Sequence, residues 1–178
     1  ECVNVAGLIS VGENSTLTAS SKKINSIECF GAMELCKGAT VTASTEGEGA
    51  DAICYGAIAN YGATINGNIG VRDKLSTSKY KTNLTLDSAT VTGTVTLNST
   101  QDSAVLKGRT VIGQLSVPSG FLVTLEDMEK GASVKVSATG VFTQTNENAQ
   151  LWDDYFTAAD ETKWVVVQNK ALAVTEKT

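Results

Sequence analysis

One short alternation of polar and apolar positions returns through most of the chain. It reads Asn14-Ser15-Thr16-Leu17-Thr18, Gly38-Ala39-Thr40-Val41-Thr42, Gly62-Ala63-Thr64-Ile65-Asn66, Ser88-Ala89-Thr90-Val91-Thr92, Gly108-Arg109-Thr110-Val111-Ile112 and Gly131-Ala132-Ser133-Val134-Lys135. The fourth position is apolar in every copy and is flanked mostly by Thr or another polar residue. That is the period-two pattern of a strand with one buried face. The Gly or Asn that opens most copies falls where the chain would turn, since both reach positive φ at little steric cost. Another short apolar strand precedes each turn: 8–11, 32–35, 57–59, 84–86, 104–106 and 122–125. A third strand per unit is expected at Ile27-Glu28-Cys29-Phe30 and Ile53-Cys54-Tyr55.

The third positions of successive copies stand 24, 24, 26, 20 and 23 residues apart. A unit of that length cannot bury its own inner face. Stacked units can, because they share a column of Val, Ile and Leu and hydrogen-bond strand to strand. The pattern therefore predicts an all-β chain: a right-handed parallel β-helix, or solenoid, of about six coils over residues 1–143. A β-sandwich would also show many short strands, but it gives one motif no reason to recur in one register.

The pattern stops after Phe142, and residues 144–178 are expected to form a C-terminal helix-plus-hairpin cap within the same domain. Residues 146–156 read as a short helix with Asn146 as N-cap and Ala149, Trp152 and Phe156 on one face. Residues 163–168 and 171–174 read as a hairpin across Asn169-Lys170. Trp152 and Trp164 lie in apolar patterns, which favours buried anchors over a sugar-stacking platform. No comparable cap is visible at residues 1–7, so further coils or domains of the same protein are expected N-terminal to Glu1.

Composition narrows the function classes. The chain has 178 residues, a net charge of −5 and no histidine. An acidic chain without a basic run is a poor partner for nucleic acid or an anionic membrane. No apolar stretch approaches the roughly 18 residues of a membrane span, so membrane insertion is not expected. Lack of histidine removes the commonest general base and metal ligand.

The remaining candidates are few. Cys2, Cys29, Cys36 and Cys54 lie in the first third. Cys29 and Cys54 each precede an aromatic residue and a Gly, so they could stack on adjacent rungs, as free core thiols or as a disulfide. Glu46, Glu48 and Asp51 share a Gly-rich loop whose spacing matches neither an EF-hand nor an RTX nonapeptide, which favours a solvated turn over a Ca²⁺ site. Arg72 and Arg109, the two arginines, sit on different coils without an acid cluster beside them. Asn14, Asn83 and Asn98 open formal glycosylation sequons. Thr16/Thr18, Thr40/Thr42, Thr64/Asn66 and Thr90/Thr92 would form outward rows that could order water. No catalytic, cofactor-binding or metal site is assigned, and no cofactor is expected.

The phrases Ile27-Glu28-Cys29-Phe30-Gly31, Gly38-Ala39-Thr40-Val41-Thr42-Ala43 and Ile53-Cys54-Tyr55-Gly56-Ala57-Ile58 resemble the pectin-lyase-like β-helix repeats of large bacterial surface proteins, many from gut bacteria and adhesin-like. The ending, from Asp154-Tyr155-Phe156-Thr157 through Val165-Val166-Val167 to Ala171-Leu172, is similar to the close of such repeat regions. The resemblance spans roughly residues 5–175 and rests on motifs generic to solenoids. It implies a secreted or cell-surface setting, a passive or binding role, and no catalytic residues. The expectation is a non-catalytic structural or adhesive module of a larger bacterial protein, with carbohydrate as a candidate contact. The alternatives are a fragment of a polysaccharide lyase or glycoside hydrolase, and an ice-binding Thr-ladder solenoid.

Overall fold

The computed structural model describes residues 3–71, 82–98, 101–118, 120–137, 141–144, 155–168 and 171–177. The described residues wind as a parallel β-solenoid of about five turns, with essentially no helix among them. Its strands stack in three columns, each with an apolar residue at the same inward position on successive rungs. The first column runs Val3, Ile27, Ile53, Ile69, Val95, Leu115, Val136. The second runs Ile9, Met33, Ile58, Leu84, Ala104 and Val123, and strand Val141–Gln144 adds a further rung to it. The third runs Leu17, Val41, Ile65, Val91, Ile112, Val134, Phe156. Between Ile27 and Val134 these positions are almost wholly buried, so one continuous core fills the solenoid. Every strand in it is parallel to its neighbours, and both the pairing and the shared core come from stacking equivalent segments.

The turns between the second and third columns form a ladder of left-handed backbone. Asn14, Gly38, Gly62, Ser88 and Gly108 have φ of 56°, 74°, 84°, 51° and 60°. Successive turns hydrogen-bond: Gly38 N–H donates to Gly62 C=O at 3.0 Å, Gly62 N–H to Asp87 C=O at 2.9 Å, and Ser88 N–H to Lys107 C=O at 3.0 Å. At Gly38 the left-handed φ itself favours glycine, and a Cβ there would first meet the end of the exposed Asn14 side chain, with Oδ1 at 2.3 Å. Inside this ladder Asn60 replaces the leucines that precede and follow it in register, Leu35 and Leu86. It is fully buried, and its carboxamide closes the turn by accepting from Ala63 N–H at 2.8 Å and donating to Ala63 C=O at 3.3 Å. Both ends of the amide are thus paired, which is what makes a polar residue tolerable there.

Several expectations change. The fifth motif copy is offset by one residue. Val91 pairs with Ile112 and Thr90 with Val111, so Ile112 is the core residue and Val111 is only half-buried. Thr110 turns inward instead. Its hydroxyl lies 3.0 Å from Leu86 C=O and 2.7 Å from Lys107 C=O, which provides the polar partners full burial requires. Cys29 and Cys54 do not stack: Cys29 is opposite Tyr55, and Cys54 is opposite Glu28 and Gly70. The cause is a register shift between Cys29 and Ala32, which places one extra residue in the earlier strand.

At the C-terminal end, Phe156 belongs to a strand, Phe156–Ala158, that adds a rung parallel to Ser133–Val136. The rest of the expected helix, residues 146–154 with Trp152, lies outside the described residues, as do Cys2 and Arg72. The hairpin is present as Lys163–Gln168 paired antiparallel with Ala171–Glu176. Val165 and Val174 pack against the core while Trp164 is 58% exposed. Trp164 is therefore not a buried anchor. Period-two alternation sends it outward once Val165 faces in, and Lys177 Nζ lies over its ring at 4.3 Å.

Candidate functional site

The solenoid offers two outer surfaces with ordered polar groups. On the third column, Thr16, Thr40, Thr64 and Thr90 stand in register, as expected. Beside them Thr18, Thr42 and Asn66 form a second row. Asn66 Nδ2 donates to Thr42 Oγ1 at 3.4 Å, and Thr92 Oγ1 donates to Asn66 Oδ1 at 3.4 Å. The hydroxyls thus bond partly to their own lattice. The first row gives way to Val111 and then Ser133, so it does not run the length of the rod.

The second surface lies where the second column enters its turn. Strand Ile53–Tyr61 alternates its side chains and puts Ala57, Ala59 and Tyr61 outward. Tyr61 is 49% exposed. It pairs in register with Asp87, and Asp87 with Lys107, which pairs in turn with Glu126. Charges of opposite sign therefore neighbour one another along the rod, an arrangement that favours the parallel stack. Lys37, Tyr61, Gly62, Asp87 and Ser88 line an open depression of about 350 Å³. Its polar groups are held by the turn ladder: Ser88 Oγ donates to Asp87 Oδ1 at 3.2 Å, and Arg109 N–H donates to Ser88 Oγ at 3.3 Å. Tyr61 is not among the candidate site residues read from the sequence. The signal was its position, outward in phase with Ala57 and Ala59 and directly before a Gly turn.

The remaining candidates do not converge on chemistry. Cys29, Cys36 and Cys54 form no disulfide among the described residues. Cys29 is buried, its Sγ lies 3.2 Å from Ala32 C=O, and burial pushes its thiol pKa up. A raised thiol pKa means less thiolate and lower reactivity. In the acidic loop Glu46 and Glu48 are exposed, while Asp51 is half-buried and desolvation pushes its carboxyl pKa up. Among the described residues no group of three His, Cys, Asp or Glu is placed to hold a metal ion. Tyr55 is fully buried, and burial pushes its phenol far above the usual range, with the nearby Gln101 amide offsetting part of that. Among the described residues Tyr55 Oη and Gln101 Oε1 have no hydrogen-bond partner, though Gln101 Nε2 donates to Ser103 C=O at 2.8 Å.

Fold and surfaces together define a parallel β-solenoid with a polar exterior. Comparison with family models, curated proteins and solved structures finds no match. The resemblance drawn from the sequence is thus supported at the level of the β-helix coil, and not at the level of a particular family.

Proposed function

We propose that this chain is a non-catalytic structural and adhesive segment of a larger bacterial surface or secreted protein, a stiff rod that spaces or displays neighbouring parts. The observation that carries the reading is the parallel stacking of the described strands, rung on rung from Val3–Val5 to Phe156–Ala158, with one core along its length. Such a stack is quasi-one-dimensional, each coil supported by its neighbours, and it suits reach better than enclosure. Deleting the segment from the parent protein is expected to weaken adhesion and to bring distal epitopes closer to the cell surface. Unchanged adhesion and display would sink the reading. Turnover of a uronate or neutral polysaccharide, abolished by Asp51→Asn, would instead favour the lyase or hydrolase reading.

The reading includes a partner, a preceding coil of the same protein. Among the described strands, Val3–Val5, Leu8–Val11 and Thr16–Ser21 each pair with a single neighbour. Val3, Ile9 and Leu17 remain partly exposed where their register partners Ile27, Met33 and Val41 are fully buried, and Leu8 is 59% exposed. A coil of the same pattern would bury these side chains and pair the free edges. Extending the chain by its natural upstream segment is expected to slow amide exchange in residues 3–21. No change in exchange there would remove this partner from the proposal. The ice-binding reading draws on the row Thr16, Thr40, Thr64 and Thr90. It would need thermal hysteresis lost on Thr40→Val, and the row's end at Val111 counts against it.

A further inference from the structure

The depression at Tyr61 brings together an exposed aromatic ring, a carboxylate, an ammonium and a hydroxyl, around a glycine turn that leaves space open. We infer that Lys37, Tyr61, Asp87 and Ser88 form a subsite for a neutral saccharide. This rests on the adhesive reading and names its contact.

A pyranose presents an apolar C–H face and a rim of hydroxyls. Tyr61 offers the complementary ring, a large amphipathic surface with little side-chain entropy to lose. Asp87 lies directly across the rung from Tyr61, so its carboxylate stands beside any ring stacked there and can accept from two adjacent hydroxyls. Ser88 already holds Asp87 Oδ1, which fixes the carboxylate before a ligand arrives. Lys37 contributes donors from the neighbouring rung. Its stem runs across Gly62, with Cγ 3.5 Å from where a Cβ on that glycine would stand. One ammonium and one carboxylate leave the depression without net charge, which favours a neutral sugar over a uronate or an amine. At about 350 Å³ it sits at the small end of ligand pockets, the size of a mono- or disaccharide end rather than a long groove. Trp164, the other exposed aromatic of the described residues that could stack a sugar, has Lys177 over its ring.

The test is a glycan array on the purified chain, followed by calorimetry on the best neutral oligosaccharide. Binding is expected to fall at least tenfold in Tyr61→Ala and severalfold in Asp87→Asn, and to stay within threefold in Tyr61→Phe, which keeps the ring. A blank array, a preference for uronates, or binding indifferent to Tyr61→Ala would each overturn the subsite. Circular dichroism of each variant separates loss of the ring from loss of fold. Loss of adhesion on deleting the whole segment alongside a blank array would sink the subsite and leave the spacer reading standing.

Discussion

In the first coil the inward residues are Val3, Ile9 and Leu17, and all three keep part of their surface in water. In the third coil the matching residues are Ile53, Ile58 and Ile65, and they are almost wholly enclosed. The sequence pattern is the same in both; what differs is the number of neighbours. A solenoid rung gains its stability from the rungs on each side, so position in the stack decides what an apolar side chain contributes. The far end is finished differently again. There the hairpin Lys163–Gln168 with Ala171–Glu176 packs against the strands Val141–Gln144 and Phe156–Ala158 and brings Val165 and Val174 to the core.

The sharpest way to test this contrast is to make one deletion twice. Ile65→Ala in the interior is expected to destabilise by about 2–5 kcal/mol. Leu17→Ala in the first coil should cost about 1 kcal/mol, because water already reaches that side chain. Urea denaturation of the two variants makes the comparison, and equal costs would mean that the first coil is as well enclosed as the third.

Glycines give a second, smaller contrast. A Cβ on Gly56 would lie 2.5 Å from Phe30 C=O, a backbone atom fixed between rungs. Gly56→Ala is expected to cost about 1–3 kcal/mol. Gly38 has φ 74°, and its nearest obstacle is the end of the exposed Asn14 side chain, which can swing away. Gly38→Ala should therefore cost about 1–2 kcal/mol, the left-handed strain alone. Adding Asn14→Ala should barely improve it, and a large rescue by that second change would show that the clash dominates.

Two carboxylates predict opposite pH responses in the two regions. Asp51 sits against the interior with its pKa raised by burial. Its stabilising contribution is present below the ordinary value of 3.8 and is lost as pH rises through the raised value. Asp51→Asn should flatten that decline in a series of denaturation midpoints against pH. Asp160 lies in the turn before the hairpin with its pKa lowered, first by the Thr162 hydroxyl and then by the Thr162 N–H. Its contribution is present above 3.8 and is lost as pH falls through the lowered value. NMR titration of the two side chains checks both signs, and a shared midpoint would refute the assignment. The smallest effect belongs to Trp164→Ala, expected to cost at most about 1 kcal/mol because the ring is exposed and meets mainly Lys177. A loss above twice that in thermal unfolding would restore it as an anchor.

The parallel stack was legible because the Thr-apolar-Thr phase and the turn residues recur together, and backbone pairing follows from them. Legibility ended where one residue more or less changes the phase. Thr110 matched the motif by type, but the shorter spacing to the fifth coil turned it inward and made Ile112 the core residue. Cys29 and Cys54 matched by their following glycines, yet the shift before Ala32 put them on opposite faces. In the run Trp164-Val165-Val166-Val167 every residue is apolar, so alternation could not say which face was inner. The surface at Tyr61 was hidden for another reason. Tyr61 and its partners Lys37, Asp87 and Ser88 come from three successive coils and meet only once the register is known.

The strands lie across the long axis of the stack, and that geometry governs its behaviour under tension. A pull between the two ends loads the hydrogen bonds of one rung at a time, as in unzipping, and does not shear many together. A coil at an end of such a stack has one neighbour to lose and yields before those inside. Each coil that opens near that end releases about 24 residues, the step from Thr16 to Thr40, or roughly 80 Å of extended chain. Under flow, a rod of this construction stays short and stiff until one coil gives way. It then lengthens in steps of that size while the coils behind it hold.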